Sequence, residues 1–174
     1  MPRRTKSKRK PEHVSQLPQV PAVYALYGGR GRNLYVAYLG ITSRLRGRIQ
    51  QHLVNRDSSV STGTSAAGLN PDYVTELRWW QDKSFKKKVS REAAEVIAEE
   101  VLEPVLRSRG KVASNAERLA KEKDFRTEMV ALFSRNEATG HLTLETLQDA
   151  LERLAEHENR LVAIEDQLRA TKQP

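Results

Sequence analysis

The stretch AVYALYGGRGRNLYVAYLGITSRLRGRIQQH, residues 22–52, decides how this chain of 174 residues is read. It holds Tyr24, Tyr27, Tyr35 and Tyr38, and the whole sequence has five tyrosines. AVYAL reads as a strand, YGGRGRN as a turn and LYVAYLG as a second strand, because aromatic and β-branched residues favour strands and glycine favours turns. The short glycine-bearing connection predicts an antiparallel hairpin. In TSRLRGRIQQHLVN, Leu45, Ile49 and Leu53 recur at helical spacing, with Thr42 or Ser43 placed to cap. The arginines fall off that apolar stripe.

Outward from this stretch the pattern stays mixed. Residues 56–71, RDSSVSTGTSAAGLNP, form a small-residue loop expected to be mobile. DYVTELRWWQD alternates as a third strand, and KSFKKK is a basic connector. Ser90 is placed to cap a helix over REAAEVIAEEVLEPVLRSRG, with Gly110 as its stop and Pro104 expected to kink or break it. Residues 114–172 read as helical, interrupted at ATGHLT, with Leu144, Leu147, Leu151, Leu154, Leu161 and Leu168 on a heptad seam. Glu158 and Glu165 occupy two seam positions and shorten it. The expected fold is α/β (α+β): a small three-stranded, mostly antiparallel sheet flanked by helices, with a C-terminal helical hairpin. A homodimer through a C-terminal coiled coil is the competing arrangement. The expected organisation is a disordered basic tail over 1–18, a domain over 19–113 and a helical appendage over 114–174.

Charge is distributed unevenly. Residues 1–113 carry 21 Lys and Arg against 10 Asp and Glu, net +11; residues 114–174 carry 9 against 12, net −3. A basic front joined to an acidic back predicts that the front meets a polyanion, and MPRRTKSKRK adds sequence-independent phosphate affinity. The absence of cysteine excludes disulfides and thiolate metal sites. No apolar run of about 18 residues suggests a membrane span, and no apolar segment follows the basic start as in a secretory leader. The expected location is cytoplasmic. His13, His52, His141 and His157 lack zinc-ligand spacing. RNEATGHLTLET fails as a calcium loop, because Arg135 and Thr146 stand where carboxylates are needed.

Ala22-Val23-Tyr24 on one strand, Tyr38-Leu39-Gly40 on the next, and an Arg and a His on the following helix resemble the GIY-YIG nuclease superfamily. The resemblance covers about residues 17–107. It implies a DNA endonuclease hydrolysing phosphodiesters with Mg²⁺ or Mn²⁺. It also implies a metal-binding glutamate nine residues before a proline, which is Glu95 before Pro104; Glu99 and Glu92 are reserves. The implied roles put Arg48 on the scissile phosphate, Tyr24 and Tyr38 on the attacking water, and His52 on proton transfer. Gly40 would let backbone approach the phosphate, while Arg44, Arg46, Lys86, Lys87, Lys88 and the tail hold flanking DNA.

The chemistry stands without the family. Phosphodiester hydrolysis needs an activated water, cationic charge for the phosphoryl oxygens and help for the leaving group. A phenol can take a proton if nearby cations lower its pKa. Arg48 and His52, at i and i+4, share one helical face. Departures from the pattern are Ala22 for the first glycine, Ile41 for a frequent lysine, and Arg107 for a frequent asparagine, for which Asn115 could substitute only if the chain bends back. The alternative function is a catalytically weak nucleic-acid-binding or assembly module that recruits a partner through its helices. Tyr27 and Tyr35 read as packing residues. At least one of Trp79 and Trp80 should be buried, and base stacking by the other is a minor option.

Overall fold

Strand β1 (Ala22–Gly28) is buried along its whole length because both of its faces are covered. In the computed structural model, which describes residues 13–59, 68–106, 111–135 and 137–171, β1 is flanked by β2 (Tyr35–Thr42) and β3 (Val74–Trp80). A further strand, β4 (Gly140–Thr143), pairs antiparallel with β3, giving the order β2-β1-β3-β4. The sheet therefore has four strands rather than three. The interruption at ATGHLT is the fourth strand, too short at four residues to announce itself by alternation. Its glycine is required: a methyl at Gly140 would lie 2.1 Å from Cζ2 of Trp79.

Alternation along β1 sends Val23, Ala25 and Tyr27 to one face and Ala22, Tyr24 and Leu26 to the other. The first face packs on α2 (Lys88–Leu102), whose Ala93, Ala94, Ile97 and Ala98 are fully buried. Helices α3 (Ser114–Lys121) and α4 (Lys123–Ser134) complete this layer with Ala116, Ala120, Met129 and Phe133. Phe133 meets Trp80 edge to face at 5.5 Å. Residues 114–143 thus complete the sheet's own core instead of forming an appendage. The chain divides into two compact units after Leu144, not after residue 113. Among the described residues the second unit holds one helix, α5 (Leu147–Thr171), in place of the expected helical hairpin. Leu144, assigned to the heptad seam, instead packs against the sheet core, and its N–H donates to the Thr75 carbonyl.

The second face is covered by α1 (Leu45–Ile49), which continues as a π-helical turn over Gln50–Val54, and by the segment before β1. That segment departs from the expected disordered tail. Val14–Gln16 form a 3-10 turn and Leu17 is fully buried, while residues 1–12 of that expected tail lie outside the described residues. Trp79 and Trp80 point to opposite faces, and both are buried because both faces are covered. Neither ring is available for base stacking.

Helix α2 starts earlier and ends sooner than its sequence pattern. Lys87 is its N-cap, and Ser90 lies buried inside it. It ends at Leu102, with Glu103 left-handed at φ 47°, because Pro104 cannot continue the ladder. The following residues run along β2: Val105 N–H donates to Val36 and Leu106 N–H to Ala37. This pairing covers part of the β2 edge and draws the chain leaving α2 against the strand that carries Tyr38. Gly110 and Arg107 fall outside the described residues.

Candidate active site

The register of the first hairpin sets the site. Tyr24 stands opposite Gly40 and Leu26 opposite Tyr38, so both tyrosines reach the face beneath α1. Their ring centroids are 6.1 Å apart. A methyl at Gly40 would lie 2.8 Å from the Tyr24 hydroxyl and 3.0 Å from Cε1 of Tyr38. The space that Gly40 leaves on its Cβ side is therefore filled by the phenols.

Helix α1 is docked by the segment before β1. Leu45 N–H donates to Val20, Arg46 N–H to Pro18, and Arg46 Nε to the Leu17 carbonyl at 2.7 Å. Arg46, expected on DNA, thus has its Nε engaged within the protein. Arg44 is the N-cap and stays exposed, its N–H bonded to Thr42 Oγ1 at 3.0 Å. The expected capping by Thr42 or Ser43 is not made: Arg44 is the N-cap, and no side chain there caps the helix.

The π-helical turn carries His52 into the site. Wider helical turns of this kind concentrate where a side chain must be re-aimed. His52 is fully buried. Its Nε2 lies 2.7 Å from the Tyr24 hydroxyl and its Nδ1 2.7 Å from Ser58 Oγ. Its ring centroid is 5.5 Å from that of Tyr38. Burial, then the Arg48 charge, pulls the His52 pKa down to about 4. Burial likewise raises the Tyr24 pKa well above the ordinary phenol value, with the nearby Tyr38 as a further cause. We assign the Tyr24 O–H as donor to Nε2 and Nδ1–H as donor to Ser58, which keeps both groups neutral.

Arg48 acts on both phenols through charge and hydrogen bonding, and one of its Nη groups donates to Gln51 at 3.2 Å. Its charge lowers the phenol pKa values, but burial outweighs it at both tyrosines. The condition under which a phenol takes a proton, a pKa lowered by nearby cations, is therefore not met at either tyrosine. Tyr38 retains 3% exposure while Tyr24 has none.

Glu95 lies on α2 and its charge acts on Tyr38. Burial, followed by the charges of Glu99 and Glu92, pushes its pKa up to about 7. Its Oε1 is buried and has no hydrogen-bond partner among the described residues. A buried acceptor left unpaired costs about 1–3 kcal/mol. Glu92 pairs with Lys88 at 3.4 Å, and Glu100 is bound by Arg126. Among the described residues no three His, Cys, Asp or Glu side chains cluster as a metal cage. The donor set still fits Mg²⁺, which is commonly held by one or two carboxylates and several waters. Glu95 is the residue that would hold it.

Lys86, Lys87 and Lys88 are exposed at the start of α2, roughly 10 Å along the helix from Glu95 at 1.5 Å per residue. Asn115 is exposed in the first turn of α3. The residue that sequence reasoning missed is Ser58, inside the loop read as mobile; its signal is only a hydroxyl six residues beyond His52. Tyr27 packs beneath Arg78, whose guanidinium carbon is 4.5 Å from the ring centroid. No family model, curated protein or solved structure matches this chain. No helix among the described residues is long and apolar enough to cross a membrane.

Proposed function

We propose that this protein is a Mg²⁺-dependent DNA endonuclease of the GIY-YIG type, with Mn²⁺ as a substitute. The observation that carries this reading is Glu95, whose charge acts on Tyr38 and whose buried Oε1 has no partner among the described residues, beside a Tyr38 that neighbours Arg48, Tyr24 and His52. A buried carboxyl with a raised pKa and an oxygen left over for a ligand suits a functional site.

In this reading Arg48 forks onto the scissile phosphate, since a guanidinium matches phosphate oxygens in geometry and charge. Tyr38, the less enclosed phenol, meets the attacking water. Tyr24 sits behind it, its hydroxyl fixed by His52 and its position fixed by the gap at Gly40. His52 holds Tyr24 in one orientation and is itself held by Ser58. A phosphate on Arg48 offsets the charge that depresses the His52 pKa, so substrate binding makes the imidazole a better proton acceptor. A bound Mg²⁺ supplies positive charge to the phosphoryl oxygens and lowers the pKa of neighbouring acids. Lys86, Lys87, Lys88, Arg44 and the basic residues before position 13 hold the flanking backbone without reading sequence.

One observation favours the alternative, a nucleic-acid-binding or assembly module with little catalytic power. Tyr24 and His52 have no exposed surface, which suits a packed polar network as well as a reaction centre. The deciding experiment is plasmid nicking with Mg²⁺ and with EDTA, on wild-type protein and Glu95→Gln. The nuclease reading expects nicking only with Mg²⁺ and only by the wild type, with equal DNA binding by both. Nicking by Glu95→Gln at the wild-type rate, or DNA binding without nicking by either protein, would reject it.

A further inference from the structure

Helix α5 is one unit of the chain, and its large aliphatic residues are exposed. Leu147, Leu151, Leu154, Leu161, Ile164 and Leu168 are each between 51 and 62% exposed. On a folded protein so many aliphatic side chains along one helix need a covering surface. Their order identifies what covers them. The steps are four and three residues from Leu147 to Leu151 to Leu154, then three and four from Leu161 to Ile164 to Leu168. Val162, also exposed at 57%, directly follows Leu161 and lies off this row; the row itself reads the same from either end, with its centre between His157 and Glu158.

We propose that α5 pairs with α5 of a second copy of this chain, antiparallel, about a two-fold axis at that centre. Leu147 then meets Leu168 of the other copy, Leu151 meets Ile164, and Leu154 meets Leu161. His157 meets Glu158 on both sides of the axis, so the polar residues at the centre are complementary. The interface is isologous and closed, as expected of a two-fold dimer. Leu147, Leu154, Leu161 and Leu168 repeat every seven residues, while the flanking aliphatic changes from Leu151 on one side to Ile164 on the other. That change of phase is the kind of local discontinuity coiled coils accommodate.

Charge selects the same orientation. Residues 145–158 hold five acidic and one basic residue, net −4; residues 159–171 hold two and two, net zero. Parallel pairing would set two net −4 halves side by side, and would place Glu158 and Glu165 against their own copies on the seam. Antiparallel pairing sets each acidic half beside a neutral one. The regular heptad with glutamates at two seam positions is thus replaced by a seam in which Ile164 stands in for Glu165.

This inference is independent of the nuclease reading, and its test does not measure cleavage. The chain has no cysteine, so an introduced one is the only thiol. Full-length protein is examined by sedimentation equilibrium, where a dimer is expected. Leu154→Glu should be a monomer with unchanged circular dichroism for the rest of the chain. Leu151→Cys and Ile164→Cys are then oxidised separately and mixed. The mixture should give the covalent heterodimer at least tenfold faster than either variant cross-links to itself. A monomeric wild type, a higher oligomer, a Leu154→Glu dimer, or faster self-linking by Leu151→Cys would each overturn the proposal.

Discussion

His52 gives the sharpest physical test, because its burial turns acidity into a measurable stability loss. The group is fully buried between Tyr24 and Ser58, and its pKa is pulled down to about 4 by burial and by Arg48. The unfolded chain has an ordinary histidine near 6.5, so between those values the unfolded state binds more protons and stability falls as the pH falls. The contribution is nil above the unfolded pKa; the loss is about 2 kcal/mol by pH 5 and about 3 kcal/mol by pH 4. His52→Gln removes the titration while retaining a donor and an acceptor. Urea unfolding of both proteins in steps from pH 7.5 to pH 4 measures the effect as the difference between two stability curves. Glu95, pushed up to about 7, titrates in the same window with the opposite sign. Like every other carboxylate it contributes to both proteins, so it drops out of the difference. The wild type should lose about 3 kcal/mol relative to His52→Gln between those limits. Parallel curves would show that His52 is solvated or freely protonated in the folded chain, and the buried neutral network would be wrong.

The two phenols should separate when each is replaced by phenylalanine. Tyr38→Phe should melt within a few degrees of wild type and nick DNA about 10²–10⁴-fold more slowly, the usual worth of a positioned proton-handling group. Tyr24→Phe should lose activity too, and additionally about 1–3 kcal/mol of stability, because it strands the buried His52 Nε2. Equal activity of both variants and wild type would make the phenols purely structural. Gly40→Ala should cost about 1–3 kcal/mol through overpacking, since its methyl would stand 2.8 Å from the Tyr24 hydroxyl. Gly40→Ala paired with Tyr24→Phe should recover part of that loss in thermal unfolding, and fully additive losses would show that the methyl meets something else.

Much of the sheet domain is legible in its first 52 residues because local rules agree there. Strand alternation, a glycine turn and a helical stripe each demand the same hairpin followed by a helix. What could not be read depends on distant packing. The strand Gly140–Thr143 exists because β3 offers a free edge and Trp79 leaves room only for glycine, and nothing within GHLT states either condition. Helices α3 and α4 read as part of an acidic appendage because charge is summed over residues 114–174, whereas residues 114–134 hold four acidic and four basic residues and the acidic excess lies in α5. Their buried face consists of Ala116, Ala120, Met129 and Phe133, small or scattered residues with a weak periodic signal.

The site shows the same division at finer grain. That Tyr24, Tyr38, Arg48 and His52 belong together was accessible through the resemblance in their order and spacing, and the i, i+4 step put Arg48 and His52 on one face. Their protonation was not accessible, since it depends on how completely the surrounding elements exclude water. Sequence placed arginines beside phenols and left open whether the cations or burial would set the phenol pKa values. The fold closes α1 and its π-helical turn over the sheet, and burial wins at both tyrosines and at the histidine. The resting network is consequently neutral, with Arg48 as its charged member. On the proposed reading, a polyanion arriving at Arg48 meets a guanidinium whose charge acts on both phenols. The same arrival would offset the smaller of the two causes that lower the His52 pKa, the larger being burial. On that reading, a neutral buried network beside one cation is quiet until a phosphate is present, and Glu95, whose charge acts on Tyr38 and whose Oε1 has no partner among the described residues, is the group that this reading uses and simple core packing does not.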